Sequence, residues 1–243
     1  MGLAPPSFFG NAKVDVPKIN PQNWCTPGAC VLKIILTATE PALLEAWEKF
    51  CGSLDCVAVH EGSILNAHCD AVVSPANSFG FMDGGIDARY SDYFGWHVQD
   101  RVRKLILEYH HGELLVGSAD VVETDHAGIP YLIAAPTMRV PMVLGQETVN
   151  PYLAARATLL LALRGTFKIG RDAGKKISDH IQTIAFPGLG TGVGRVPFAV
   201  CARQVRAAID EILAGQPNFP RTWAEASERH QLLYTDTPRR LQY

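Results

Sequence analysis

The sequence predicts an α/β fold in which a largely parallel sheet is covered by helices on both faces. Two observations carry this. Short β-branched apolar runs alternate along the chain with stretches whose apolar residues recur at three- and four-residue steps. Two of the runs also empty into glycine-bearing turns that lead to a helix start, as the units of a parallel sheet do. At 243 residues, 47% hydrophobic and 19% charged, the chain has an ordinary globular balance and enough length to bury a substantial core.

The elements follow in order. Residues 1–30 are rich in Pro, Gly and Asn and are expected to form an irregular arm. Val31 to Leu36 is a β-branched apolar run, a strand. Pro41 opens a helix in which Leu44, Trp47 and Phe50 share a face. Cys56–Val59 and Ala71–Val73 are strands, and Ile86 to His110 is helical in two pieces broken at Gly95. Leu114–Val116 and Tyr131–Ala135 are expected strands. A helix starts at Asn150-Pro151, with the asparagine as N-cap, and buries Leu159, Leu160 and Leu163. Ile181–Phe186 is the last strand. Pro197 then starts a helix with Cys201, Val205, Ala208, Ile209 and Ile212 on one face. The tail from Phe219, with Trp223, Leu232, Leu233 and Tyr234, is expected to form a short packing helix. The simplest organisation is an arm (1–30), one domain (31–215) and an extension packed on it (216–243).

Charge and cysteine usage narrow the function. The net charge of -2 supplies no broad basic field, so binding of extended nucleic acid is not expected, and an anionic ligand must be held by local backbone donors. No run reaches the ~18 apolar residues of a membrane span. The first residues lack a basic start followed by an apolar run, so Cys25, Cys30, Cys51, Cys56, Cys69 and Cys201 are read as reduced thiols of a cytoplasmic protein. Cys51, Cys56, His60, His68 and Cys69 cluster in sequence without CxxC or HExxH spacing, so core thiols and surface histidines are expected, with no metal and no cofactor. Tyr109-His110-His111-Gly112 reads as a helix end.

Two segments are built to approach an anion. One runs from Asp70 through Ala71-Val72-Val73-Ser74-Pro75-Ala76-Asn77 to Gly84-Gly85-Ile86-Asp87; the other runs from Phe186 through Gly188-Leu189-Gly190-Thr191-Gly192-Val193-Gly194-Arg195 to Pro197. Each passes from an apolar strand through glycines into a helix start. Unpaired N–H groups at the positive end of a helix suit a phosphate, and the lack of a Cβ lets the backbone come close. Neither segment is a Walker loop or a clean GxGxxG fingerprint. Either alone also fits a plain turn; the pair, with Asn77 and Asp87 at fixed offsets, points to a diphosphate cradle.

Ala71–Asp87 resembles the signature of the macro domain family, and Gly188–Val193 resembles that family's second phosphate loop. The order of elements fits from about Val31 to Gly215. The resemblance implies a three-layer α/β/α macro-domain-like fold with a central mixed, mostly parallel sheet. It implies binding of ADP-ribose or an ADP-ribosylated substrate, and hydrolysis of mono-ADP-ribosyl or O-acetyl-ADP-ribose bonds. Asn77 would hold the distal ribose hydroxyls, an amide being able to donate and accept; an asparagine capping a turn is the plain alternative. Asp87 would position or activate water near the anomeric carbon; an acidic residue favoured at a helix N-terminus is its plain alternative. Ala76, Gly84, Gly85 and Ile86 would line one phosphate, and Gly188, Gly190, Thr191, Gly192 and Val193 the other. Gly62-Ser63-Ile64 stands where the family usually has Gly-Asp, whose carboxylate accepts the adenine amino group; Ser63 is an uncharged acceptor there. After Val193 the family often places an aromatic, whereas here Gly194 and Arg195 follow, with Arg195 a candidate phosphate partner. A reader that binds ADP-ribose without turnover is the competing function, and an interaction module is a third. The target carrying the ADP-ribose and the oligomeric state stay open.

Overall fold

The computed structural model describes residues 32–213 and 219–239. Six strands form one sheet: β1 (Lys33–Ala38), β2 (Val57–Glu61), β3 (Ala71–Ser74), β4 (Asp120–Glu123), β5 (Tyr131–Ala134) and β6 (Thr183–Phe186), in the spatial order β2-β1-β6-β3-β5-β4. All neighbours pair in parallel except β4, which closes one edge antiparallel to β5. Six helices flank it: α1 (Pro41–Cys51), α2 (Gly85–Phe94), α3 (His97–Tyr109), α4 (Asn150–Arg164), α5 (Phe198–Leu213) and α6 (Trp223–Leu232).

The sheet separates two cores, as expected of a parallel sheet buried on both faces. On one face Ile34, Leu36, Val73, Ile133, Ile184 and Phe186 pack under α1, α4 and α5; on the other Val72, Leu132 and Ala185 pack under α2 and α3. The alternation along each strand decides which face a residue joins, so Val72 and Val73 enter opposite cores. The result is a mixed, mostly parallel sheet in a three-layer α/β/α fold.

Four details differ from the sequence expectation. Leu114–Val116 is not a strand: Leu114 drops into the core while Leu115 is exposed, and the antiparallel edge strand is Asp120–Glu123 instead. Its first residue, Asp120, is fully buried and held by His110 Nε2 at 2.8 Å and Lys168 Nζ at 2.6 Å, so the charged ends that disguise this strand are paired by residues distant in sequence. In α1 the buried face is Leu43, Ala46, Trp47 and Cys51, with Leu44 and Phe50 half-buried at its flank. In α4 the buried face is mostly alanine, with Leu159 inside and Leu160 and Leu163 half-buried; Asn150 begins the helix and its amide donates to Thr137 O at 2.8 Å rather than capping it. The tail does form a helix, α6, capped by Thr222, but none of its residues is buried and Trp223 is exposed. The expected arm, residues 1–30, lies outside the described residues, as do Cys25 and Cys30.

Candidate functional site

The carboxyl ends of β1, β2, β3, β5 and β6 open into a single cleft of about 380 Å³, the position at which open α/β sheets bind ligands. The structure brings both glycine-bearing loops to it. Ala76, Asn77, Gly84, Gly85, Ile86 and Asp87 line it from the β3 side. Gly188, Gly190, Thr191, Gly192, Val193 and Gly194 line it from the β6 side, and Ser63 and Ile64 line it from the loop after β2. Arg195 is the exception. It takes a left-handed backbone (φ 54), is exposed and lies outside the lining, so it does not reach the cleft as expected. The turn closed by Arg195 N donating to Gly192 O at 3.1 Å is what carries it away.

The glycines are where the backbone needs them. Gly85 (φ 59) starts α2 and Gly190 (φ 68) turns the second loop, both in the region that L side chains disfavour. A Cβ at Gly190 would lie 3.2 Å from Val196 and 3.3 Å from Leu144. At Gly84, Gly85 and Gly192 a Cβ would meet nothing within 4 Å: these positions border open space. Among the described residues, the N–H groups of Gly85, Ile86 and Asp87 in the first turn of α2, and those of Thr191, Gly192, Val193 and Gly194, find no acceptor in the fold. The first turn of a helix leaves its donors unused for geometric reasons, and the second loop does so because its own turn bonds are made by Arg195 and Val196.

Asp87 is buried, and Ser74 at the end of β3 donates to its Oδ1 at 2.5 Å. Burial pushes its pKa up to about 7, with the Ser74 hydrogen bond opposing the rise. A carboxyl group titrating near neutrality on a cleft wall is equipped for proton transfer. Ser74 is a partner of this acid that the sequence does not single out; its place at a strand end thirteen residues before the acid is the one hint. Asn77 is more occupied than expected. Its Oδ1 accepts from Phe79 N at 3.1 Å and Phe81 N at 3.3 Å, and its Nδ2 donates to Phe81 O at 2.8 Å. One amide hydrogen is left over, so the side chain both shapes the loop and borders the cleft. Ser63 Oγ likewise accepts from Leu65 N at 3.3 Å, capping the short 3₁₀ turn Ile64–Asn66.

Asp83, whose negative charge the sequence places near the expected anion, is on the wall; Glu40, Arg89, Phe81, Thr137 and Met138 join it there without having been anticipated. Thr137 ties the β3 loop to the β5 loop, its Oγ1 donating to Pro75 O at 2.9 Å. Among the described residues no group of three or more His, Cys, Asp or Glu is placed to hold a metal ion, and no helix is long and apolar enough to cross a membrane. Cys51, Cys69 and Cys201 are free thiols, and burial pushes all three up to about 12, away from reactivity.

Comparisons with known proteins agree with this fold. The family model described as Macro domain matches residues 73–205, more than half of the chain. An uncharacterized protein of Aquifex aeolicus is 34% identical over 163 residues, which is 66% of this chain and 83% of that one. A macro domain-containing protein of Cupriavidus necator is 26% identical over 161 residues, covering 66% of this chain and 84% of that one. Among solved structures, an Oceanobacillus iheyensis macrodomain with ADP superimposes with a TM-score of 0.51 at 17% identity, covering 71% of this chain and 84% of that one. The macrodomain of Mycobacterium tuberculosis DarG does so with a TM-score of 0.50 at 19% identity, covering 63% and 90%. With both loops delivered to one cleft on this sheet, the chain belongs to the macro domain family.

Proposed function

We propose that the cleft binds ADP-ribose and that the protein hydrolyses mono-ADP-ribosyl or O-acetyl-ADP-ribose bonds. The observation that carries the binding is the pair of loops whose amide hydrogens the fold leaves unengaged on one cleft. The diphosphate lies between Gly84–Asp87 and Gly188–Gly194, where oriented N–H groups and the N-terminus of α2 compensate its charge. The distal ribose faces Asn77, Phe81 and Asp87, and adenine extends toward Gly62, Ser63 and Ile64. Binding of ADP-ribose is in keeping with a solved Oceanobacillus iheyensis macrodomain mutant that holds ADPR.

Turnover rests on Asp87. Its carboxylate takes a proton from water as the water oxygen bonds to the anomeric carbon, the bond from that carbon to the acceptor oxygen breaks, and Asp87 passes the proton to the departing oxygen, which restores the carboxylate. The products are ADP-ribose and the unmodified acceptor; with O-acetyl-ADP-ribose the water bonds to the acetyl carbon instead, the ester bond to the ribose oxygen breaks, and the products are ADP-ribose and acetate. A carboxyl titrating near neutrality can hold and release that proton at physiological pH. The second reading, a reader without turnover, draws on the engagement of both polar side chains: Asn77 holds its own loop and Asp87 is buried against Ser74.

Calorimetry with ADP-ribose and an assay of ADP-ribose release from a mono-ADP-ribosylated protein separate the readings. The proposal expects saturable binding, and release that Asp87→Ala abolishes while binding persists. Equal release by wild type and Asp87→Ala removes the catalytic role; absence of a calorimetric signal removes the binding role.

A further inference from the structure

We infer that the surface next to the ribose end of the cleft, formed by Phe79, Phe81, Arg103 and Leu107, docks the polypeptide that carries the ADP-ribosyl group, with Arg103 receiving an acidic side chain close to the modified residue. The inference rests on the ADP-ribose reading of the cleft and extends it to the acceptor.

Phe81 joins the two surfaces. It lines the main cleft and also a second concavity shared with Phe79, Arg103, Leu107 and neighbouring residues of α3. One ring therefore forms the partition between the ribose end of the cleft and the adjoining surface. It is 49% exposed, yet it is held in place from several sides. Asn77 bonds both its N–H and its carbonyl. Gly80 (φ 71) lets the loop lie so close to α3 that a Cβ would come within 2.9 Å of Val102 and Ile106. The guanidinium of Arg103 stacks over the Phe81 ring at 4.2 Å, while its Nη1 donates to Phe79 O at 3.2 Å. An exposed aromatic fixed in this manner is presented for contact, because ordering it brings the free protein little burial.

The chemistry of the occupant follows from the charge. Arg103 has no carboxylate partner among the described residues, unlike Arg101, Arg139 and Arg171. Stacking on Phe81 and the bond to Phe79 O fix the plane of the guanidinium and leave further N–H donors for an anion, a preordered receptor for one carboxylate. Around it the surface is apolar, with Leu107 69% exposed. The neighbouring cations are taken: Lys104 faces Glu108 at 3.9 Å, and Arg139, over the Phe79 ring, is paired with Glu113 at 2.7 Å. A single available cation set in an apolar surface fits a peptide with one acidic side chain. A nucleic acid strand would need a track of open cations, and the described residues offer none here.

The test uses the full chain, free ADP-ribose, and two peptides mono-ADP-ribosylated on one residue and flanked by either glutamate or serine. Wild type should bind the glutamate-flanked peptide more tightly than the serine-flanked one. Arg103→Glu should weaken the glutamate-flanked peptide by about tenfold or more, the scale of a lost charge-assisted hydrogen bond. The same variant should leave free ADP-ribose within about twofold. Leu107→Glu, at an exposed position outside the cleft lining, should weaken both peptides and spare free ADP-ribose. The inference is overturned if Arg103→Glu weakens free ADP-ribose and peptide alike, if neither variant affects any peptide, or if an ADP-ribosylated oligonucleotide is preferred over both peptides. If wild type fails to bind free ADP-ribose at all, the reading of the cleft fails first and the docking surface with it.

Discussion

Asp87 makes a prediction about stability that is independent of any assay of function. Its carboxyl is buried and titrates at about 7 in the folded protein, against an ordinary value of 3.8. Between about pH 4 and pH 7 the folded chain thus keeps a proton that the unfolded chain has released, and stability falls as pH rises through that window. Below the window both states hold the proton and nothing is lost. Above it the whole penalty of burying the charge is present, on the order of 4 kcal/mol for a shift of about three units. Asp87→Asn removes the ionisation while keeping the shape and an oxygen for the Ser74 hydroxyl. The variant should match wild type near pH 4 and exceed it at pH 8 by up to about 4 kcal/mol. Urea unfolding of both proteins from pH 4 to 8 measures this. Other carboxylates, such as Asp172, held down to about 2 chiefly by its Lys175 and Tyr131 hydrogen bonds, titrate equally in both and cancel in the difference. A difference curve that is flat, or that rises toward acid, refutes the account of Asp87 as a buried acid.

Three further outcomes follow from the same geometry. Ser74→Ala removes the hydrogen bond that opposes the rise in the Asp87 pKa, so the acid limb of the pH–rate profile for ADP-ribose release should move up by about one to two pH units; an unmoved limb means Ser74 does not touch the catalytic proton. Gly85→Ala places a side chain at φ 59 beside open space and should cost about 1–2 kcal/mol in unfolding experiments while weakening ADP-ribose binding, as read by calorimetry. Lys168→Met leaves the fully buried Asp120 with the Val121 N–H and the His110 ring as its partners among the described residues, and should destabilise the fold by about 3–5 kcal/mol without changing ADP-ribose affinity in the folded protein.

Much of the fold was legible because the signals were local. The apolar runs at Ile34, Val72, Leu132 and Ile184 announce strands, and Gly95 (φ 99) separates two helices where a side chain would be strained. The cleft was legible for the same reason: Gly85 and Gly190 take left-handed backbone, and at Gly188 and Gly194 a Cβ would strike Thr191 or the Gly190 carbonyl at 2.4 Å. What was hidden depends on partners far apart in sequence. Strand β4 begins with a carboxylate whose charge is paired in the interior by His110 and Lys168, so the apolar Leu114-Leu115-Val116 looked the better strand. Helix α1 is apolar around much of its circumference, and periodicity does not decide between a face centred on Leu43 and one centred on Leu44. Arg195 follows a phosphate-type loop in sequence, yet its own left-handed turn points it elsewhere. Ser74 is invisible as a partner until the strand end and the first turn of α2 are brought together at 2.5 Å.

On the proposed reading, backbone amides of two separate loops converge on the diphosphate. The most direct measurement is a titration of the ¹⁵N-labelled protein with ADP-ribose, following the amide resonances. The amides of Gly85 and Ile86 and those of Thr191, Gly192 and Val193 should shift together along one saturation curve. Saturation in which either group stays fixed, or in which the shifts fall on residues away from the cleft, contradicts the claim.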